Sequence, residues 1–277
     1  MDFLQVCGLR RSIRIFRPWQ QVEREKIQRI LEVARLTTCP GNLQPWRAVV
    51  VERDKLSSQD REALLAADNY QGAHVQAPLW IYWFADVDGS TAETFRQRVH
   101  ELVDLGALPT FYGWTHETID LAIVKGETAP EGMPAIHTLI HNLPREAAAA
   151  VARQETVGVC AVATLAAVNE GLGTCLHMAA SSDKVPVLKR VLKVPEGWEP
   201  VWCQLVGYPA EEREAGGQRP RLPFETIYFD GAYGKPFTRD PKVVEDLTKE
   251  GLLQTPMPKP GRFEELKHLA RMLGFPL

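Results

Sequence analysis

The sequence REAAAAVARQETVGVCAVATLAAVNEGLGTCL, residues 145–176, joins a long Ala-rich segment to a short apolar run. The Ala-rich part extends from Pro144 to about Gly171 and is apolar on almost every side. It therefore predicts a long helix buried in a core or a subunit interface. Leu172 to Leu176 predicts a strand directly after that helix.

The flanking sequence predicts further helices and strands. Ile27, Ile30, Leu31 and Ala34 recur at the spacing of one helix face. Three more strands are expected at residues 48–51, 79–85 and 201–207, and the continuous apolar run of the second predicts burial on both faces. A helix with one apolar side follows near the C-terminus. This pattern fits an α+β or three-layer arrangement as well as a doubly wound sheet.

Composition excludes several classes of protein. The 277 residues include 32 basic and 35 acidic side chains, a formal net charge of -3, and 45% are hydrophobic. This balance argues against a disordered chain, a disulfide scaffold and a nucleic-acid-binding protein. The five cysteines, which lack C-x-x-C spacing, are expected to be free thiols in the cytoplasm. His137 and His141 have i, i+4 spacing but no third ligand, so no metal is predicted.

Basic and turn-forming residues gather in three segments. The first is Leu9-Arg10-Arg11-Ser12-Ile13-Arg14-Ile15-Phe16, in which guanidinium, hydroxyl and backbone N–H groups suit a phosphate. The second, Thr38-Cys39-Pro40-Gly41-Asn42-Leu43-Gln44-Pro45-Trp46, is a loop that presents backbone and amide groups. The third is Gln218-Arg219-Pro220-Arg221-Leu222-Pro223, whose prolines stiffen an extended loop. Each segment alone also fits an ordinary solvated loop.

In this order, and together with Gly171-Leu172-Gly173-Thr174-Cys175, the three segments resemble the nitroreductase family of FMN-dependent oxidoreductases. The resemblance covers roughly residues 5–55 and 145–225, plus the strand ending at Asp86. It implies a three-layer α-β-α fold with a mostly antiparallel sheet, a long core helix and a C-terminal arm. It also implies a homodimer with FMN at the interface. We expect a single domain over 1–277, with a variable insert over the active site at 86–144 and an extension at 236–277.

The resemblance also implies roles for individual residues. Arg10, Arg11 and Ser12 would hold the FMN phosphate and ribityl chain, and Arg219 and Arg221 would reach the same phosphate. Arg14 would stabilise the negative charge of the reduced flavin at its pyrimidine edge. The other implied FMN contacts are Cys39, Gly41 and Asn42, expected from the partner subunit, together with Gln71, Met178 and Ala179.

The sequence departs from the family pattern near the expected reactive face. Thr38-Cys39 replaces the usual Pro-Ser, and Leu176-His177-Met178-Ala179 replaces Trp-Ile-Gly-Gly. His177 is a weak candidate for proton transfer, with a packed histidine as the alternative. Cys39 is either a reactive thiol or a small apolar filler.

Two other groups of side chains are ambiguous. Phe111, Tyr112 and Trp114 either stack on a flat substrate or belong to the core. The charge run Glu211–Glu214 is interpreted as a solvated loop.

We therefore expect an enzyme that passes hydride from NAD(P)H through FMN to a nitroaromatic or quinone by ping-pong kinetics. Reductive dehalogenation, ene reduction and dehydrogenation also occur in the family and remain open. A non-catalytic FMN-binding or storage protein is an alternative of another class. A third reading, a basic-loop interaction protein without a cofactor, requires the three arginine-containing segments to lie apart in space.

Overall fold

A four-stranded sheet forms the centre of the molecule, as seen in a computed structural model that describes residues 1–125, 144–212, 217–254 and 258–274. The strands are ordered β1-β2-β4-β3, and every neighbouring pair is antiparallel. The prediction of a mostly antiparallel sheet is confirmed. The strands are β1 (Trp46–Glu52), β2 (Leu79–Asp86), β3 (Gly173–His177) and β4 (Trp198–Gly207).

Ten α-helices lie in the described part of the chain, together with several short helical turns. The helix predicted from residues 27–34 is α2, and the long Ala-rich helix is α7. The helices are α1 (Phe3–Leu9), α2 (Arg24–Arg35), α3 (Ser58–Ala67), α4 (Gly72–Gln76), α5 (Ala92–Asp104), α6 (His116–Asp120), α7 (Arg145–Asn169), α8 (Val185–Leu192), α9 (Pro241–Lys249) and α10 (Arg262–Met272).

Strand β2 explains why the fold has three layers. All eight of its residues are buried, as its continuous apolar run predicts. Because successive side chains point to opposite faces, Trp80 and Tyr82 join a core with α3 and α8. Leu79 and Ile81 join a second core with α2 and α7. The α-β-α arrangement is confirmed.

Helix α7 is the long core helix that the sequence predicts. It is long and apolar enough to cross a membrane by length and composition, but it packs against α2 and the sheet. Its side chains are small on the packed face, including Ala163 and Ala167, which allows a close approach. Among the residues that the structure describes, none covers one stripe of the helix, where Val157 is 46% exposed.

The N-terminal segment is fastened to the edge of the sheet. Ser12 forms a parallel bridge with Thr174 of β3, and Phe16 bridges Pro209. A Cβ at Gly173 would lie 3.0 Å from Ile13, so the glycine permits this close approach. The Arg-rich segment is thereby placed beside β3.

Helices α5 and α6, which follow β2, and helices α9 and α10, near the C-terminus, lie outside the two cores that pack on the sheet. Helices α5 and α6 share a small core of their own that includes Val99 and Ile119. The positions of His137 and His141 fall outside the described residues. In the arm, the turn after α9 lies against α1, and a Cβ at Gly8 would come within 2.3 Å of the Gly251 carbonyl oxygen.

Candidate active site

A cavity of about 1450 Å³ brings together residues that are far apart in the sequence. It lies beside β3 and the N-terminal segment, between the loop after β4 and α10. Seven of the residues predicted for the cofactor line it: Arg10, Arg11, Ser12, Arg14, Gln71, Arg219 and Arg221. The four arginines expected at the phosphate, Arg10, Arg11, Arg219 and Arg221, come from distant segments of the chain and line the same cavity.

Glu211 explains why these segments meet. Its Oε1 accepts hydrogen bonds from the backbone N–H groups of Arg14, at 2.7 Å, and Ile15, at 3.1 Å. Its Oε2 forms an ion pair with Arg262 of α10. Glu211 is only 7% exposed, so its interpretation as part of a solvated loop is wrong. The carboxylate can be buried because both of its oxygens have partners. Arg213 and Glu214 lie outside the described residues.

The arginines of the cavity differ in what they already bind. The Arg11 guanidinium donates to the Gly8 carbonyl at 2.6 Å and to Gln254 at 2.5 Å, which ties it to the C-terminal arm. In contrast, no carboxylate in the described part of the chain pairs with Arg10, Arg219 or Arg221. These three cations add positive charge to the lining of the cavity, which favours an anion.

Helix α10 forms one side of the cavity, which the sequence did not predict. Its apolar stripe was recognisable, but nothing in the sequence indicated where that stripe packs. The Arg262 pKa is raised because hydrogen bonds to Glu211 and Glu265 outweigh the opposing effect of burial. The α10 residues that line the cavity are Arg262, Phe263, Leu266, Lys267, Ala270 and Arg271.

A buried polar cluster adjoins the cavity at the end of β3. His177, which lines the cavity, places Nδ1 3.2 Å from Oδ1 of Asp68. The other carboxylate oxygen of Asp68 lies 2.9 Å from Nδ1 of His74. The hydroxyl of Tyr82 lies 3.1 Å from Nε2 of His74. The sequence analysis missed Asp68 and His74, which are separated from His177 by more than 100 positions.

Burial and hydrogen bonding set the charges in this cluster. Burial lowers the pKa of His74 below its ordinary value, which favours a neutral ring. Burial alone would raise the pKa of Asp68, but hydrogen bonds from His177 and His74 outweigh it and lower that pKa overall. The pKa of Tyr82 is raised by burial, so its hydroxyl stays protonated and donates to His74. The cluster therefore holds one carboxylate charge.

Other predicted contacts lie outside the cavity of the single chain. Cys39, Gly41 and Asn42 occupy a short turn against α5, where a Cβ at Gly41 would clash with Phe95. Burial raises the pKa of the Cys39 thiol, which disfavours a reactive thiolate. Met178 and Ala179 follow directly after β3, with Met178 exposed and Ala179 buried.

The three aromatic residues of the segment 86–144 lie in different environments. Phe111 is 81% exposed and packs against the neighbouring ring of Tyr112 at 4.4 Å between centroids. Trp114 packs against the small core of α5 and α6, which matches the core alternative. None of the three lines the cavity formed by the described residues of one chain.

Comparison with known proteins identifies relatives. A profile of the nitroreductase family matches residues 9–208. YdgI of Bacillus subtilis, named as an NAD(P)H nitroreductase, is 31% identical over 108 residues, which is 39% of this chain and 49% of that protein. This match therefore spans about half the length of YdgI. A Thermus thermophilus protein named NADH dehydrogenase is 27% identical over 219 residues, covering 79% of this chain and 90% of its own length.

Solved structures share the fold. A protein from Exiguobacterium sibiricum, named as a nitroreductase in complex with FMN, superposes with a TM-score of 0.63 at 20% identity and covers 82% of this chain and 96% of its own. A nitroreductase-like protein from Streptococcus mutans gives a TM-score of 0.63 at 21% identity, covering 82% and 97%.

Proposed function

The chain belongs to the nitroreductase family, and we propose that it is an FMN-dependent NAD(P)H oxidoreductase that reduces a flat, electron-poor acceptor such as a nitroaromatic or a quinone. The observation that carries this proposal is the single cavity shared by Arg10, Arg219 and Arg221. FMN supplies the hydride chemistry when bound, and the protein supplies binding, orientation and charge stabilisation.

The residues of the cavity fit FMN. A phosphate needs several cationic or N–H donors, and the three arginines without carboxylate partners in the described chain provide them. Ser12, which is held by its bridge to Thr174, adds a hydroxyl to the same lining. We therefore assign the phosphate to these residues. Arg11, whose guanidinium is already hydrogen-bonded to Gly8 and Gln254, lines the same cavity.

Arg14 and Gln71 are assigned to the ring system. Reduction of a flavin builds negative charge on its pyrimidine edge, and a fixed cation nearby stabilises that charge. The backbone of Arg14 is fixed by Glu211, which limits where its guanidinium can reach. Gln71 lines the same cavity and offers an amide for the ring edge.

A homodimer with FMN at the interface completes this proposal. The exposed stripe of α7 includes the apolar residues Val157 and Ala161, and no described residue of the same chain covers it. A second copy packed there would bury it. We propose that Cys39, Gly41 and Asn42 act from the partner, which explains why they lie outside the cavity of their own chain.

Steady-state kinetics test the proposal. Initial rates measured at several NADH or NADPH concentrations with menadione as acceptor should give parallel double-reciprocal lines, because the two substrates bind the same site one after the other. Intersecting lines would contradict the ping-pong scheme.

An FMN-storage protein is the second candidate, and helix α10 is the observation that favours it. The helix covers one side of the cavity with Phe263, Leu266 and Ala270, and a cover of this kind can close the exposed face of a flavin. Bound flavin with no menadione turnover would support storage and reject the enzyme.

A further inference from the structure

We propose that His177 is a catalytic proton donor to the reduced acceptor and that Asp68 is the positioning residue that orients its ring. This inference rests on the proposed function and deepens it. His177 ends β3 and lines the cavity, with Nδ1 directed to Asp68. Its Nε2 is buried and has no hydrogen-bond partner among the described residues. A buried polar atom without a partner requires an explanation, and a molecule bound in the adjoining cavity supplies one.

Asp68 determines which nitrogen of His177 takes part. A carboxylate accepts hydrogen bonds, so Nδ1 carries a proton and Nε2 is the atom that gains or loses one. The arrangement therefore leaves Nε2 as the atom that exchanges a proton with a bound acceptor.

His74 and Tyr82 support Asp68 without competing for the proton. His74 is fully buried and binds Asp68 through Nδ1, while its Nε2 accepts from Tyr82. A charge on His74 would be costly there, so the exchangeable proton belongs to His177. The titratable or charged groups around His177 are Asp68 at the end of α3, His74 of α4, Tyr82 of β2, Cys175 of β3, Cys203 of β4, and Arg14 and Glu211 across the cavity.

A metal ion is a weaker interpretation of the same cluster. The donor atoms of Asp68, His74 and His177 lie within 4.8 Å of one another. However, both ring nitrogens of His74 already have hydrogen-bond partners, and an ion would have to displace one of them. Proton transfer needs no such rearrangement.

The proposed step balances simply. A quinone or nitro group that has gained hydride carries two additional electrons and one negative charge on oxygen. The Nε2–H bond of the His177 imidazolium breaks, and an O–H bond forms on the acceptor. The neutral imidazole then regains a proton from water, with no further oxidant or reductant.

His177→Gln and Asp68→Asn test the proposal in the FMN-loaded protein. General acid catalysis contributes roughly 10²-fold or more, so acceptor reduction in His177→Gln should slow by about that factor. Flavin reduction by NAD(P)H should change less than about twofold in both variants, because that half-reaction does not use this proton. If NAD(P)H failed to reduce the flavin of the wild-type protein, the proposed function itself would be rejected.

Nitrogen-15 NMR gives a readout that does not depend on turnover. In the wild type, the His177 signals should show the Nδ1–H tautomer, and in Asp68→Asn the share of that tautomer should fall. Asp104→Asn is the matched control, since Asp104 pairs with His116 at 2.8 Å on the surface. It should leave acceptor reduction and the His177 tautomer unchanged.

Three results would overturn the proposal. One is an unchanged acceptor rate and pH profile in His177→Gln. Another is a His177 tautomer that Asp68→Asn does not alter. The third is activity that EDTA abolishes and Zn²⁺ restores, which would assign the cluster to a metal.

Discussion

Glu211 accepts a hydrogen bond from the backbone N–H of Arg14 over 2.7 Å, although the two residues lie 197 positions apart. The same carboxylate pairs with Arg262, so one side chain connects the N-terminal arginine segment, the loop after β4 and helix α10. The cavity owes its shape to this connection. FMN binding in the cavity can therefore be tested by substitutions that affect α10 as well as by substitutions of the arginines.

Arg262→Ala should release α10 from the cavity. Removing one partner of a buried ion pair leaves the other charge unpaired, which costs roughly 3 kcal/mol. We expect rapid cleavage of the C-terminal arm in limited proteolysis, together with weaker FMN binding. Lys249→Ala removes an exposed helix pair with Glu245 and should change neither. An arm that stays protected in Arg262→Ala would mean that other contacts hold α10.

Replacing Arg10 and Arg221 together with alanine should release the flavin. Hydrogen bonds to charged groups contribute about 1.5 to 3 kcal/mol each, so the double variant should bind FMN at least about 100-fold more weakly. Fluorescence titration of the FMN-free protein measures this. Arg24→Ala, an exposed residue of α2, is the control. Unchanged affinity would show that the phosphate lies elsewhere.

His74 should make the protein less stable in mild acid. Its folded-state pKa is lowered from 6.5 by burial, so the unfolded state binds this proton more readily. The stability is fully present above pH 6.5 and is lost as the pH falls below that value, by up to about 1.4 kcal/mol per pH unit. Urea unfolding of wild type and His74→Asn between neutral and mildly acidic pH measures the slope.

The slope should be smaller in His74→Asn, whatever its absolute stability. His268→Asn, an exposed residue of α10, should keep the wild-type slope. Equal slopes in all three proteins would show that His74 titrates normally.

Val157→Glu should disrupt the proposed dimer. The substitution places a charge in the centre of the exposed apolar stripe of α7, where a partner would desolvate it. Light scattering should then show a lower mass than that of the wild type, and FMN affinity should fall because the partner's contacts are lost. Gln59→Glu, an exposed residue of α3 on the other side of the sheet, is the control and should leave both unchanged. A wild-type protein that is already monomeric would contradict the dimer.

The sheet and the long helix were predictable because their signals are local. Trp80 to Phe84 is apolar on both faces, which identifies a central strand, and α7 is long and apolar without interruption. The residues that line the cavity were predictable only through resemblance, since nothing local indicates that Arg10 and Arg221 line one cavity. The division into one domain with an insert and an arm, and the cytoplasmic location, stay predictions.

The polar cluster was not predictable. Asp68 follows α3 as a helix cap, and such an aspartate normally serves the turn alone. His74 lies in a helix of only five residues, and its partners depend on how that helix packs over β2. Long-range hydrogen bonds of this kind have no spacing rule. The prediction for Glu211 was wrong for the same reason, because the sequence of a charge run does not show which partners its side chains bind.

Anaerobic reduction tests the central claim most directly. The purified protein, saturated with FMN and freed of oxygen, is mixed with NADH or NADPH while its visible flavin absorbance is recorded. The account predicts that at least one of the two nucleotides bleaches the flavin and that menadione then restores the colour. Flavin that stays oxidised with both nucleotides would contradict it.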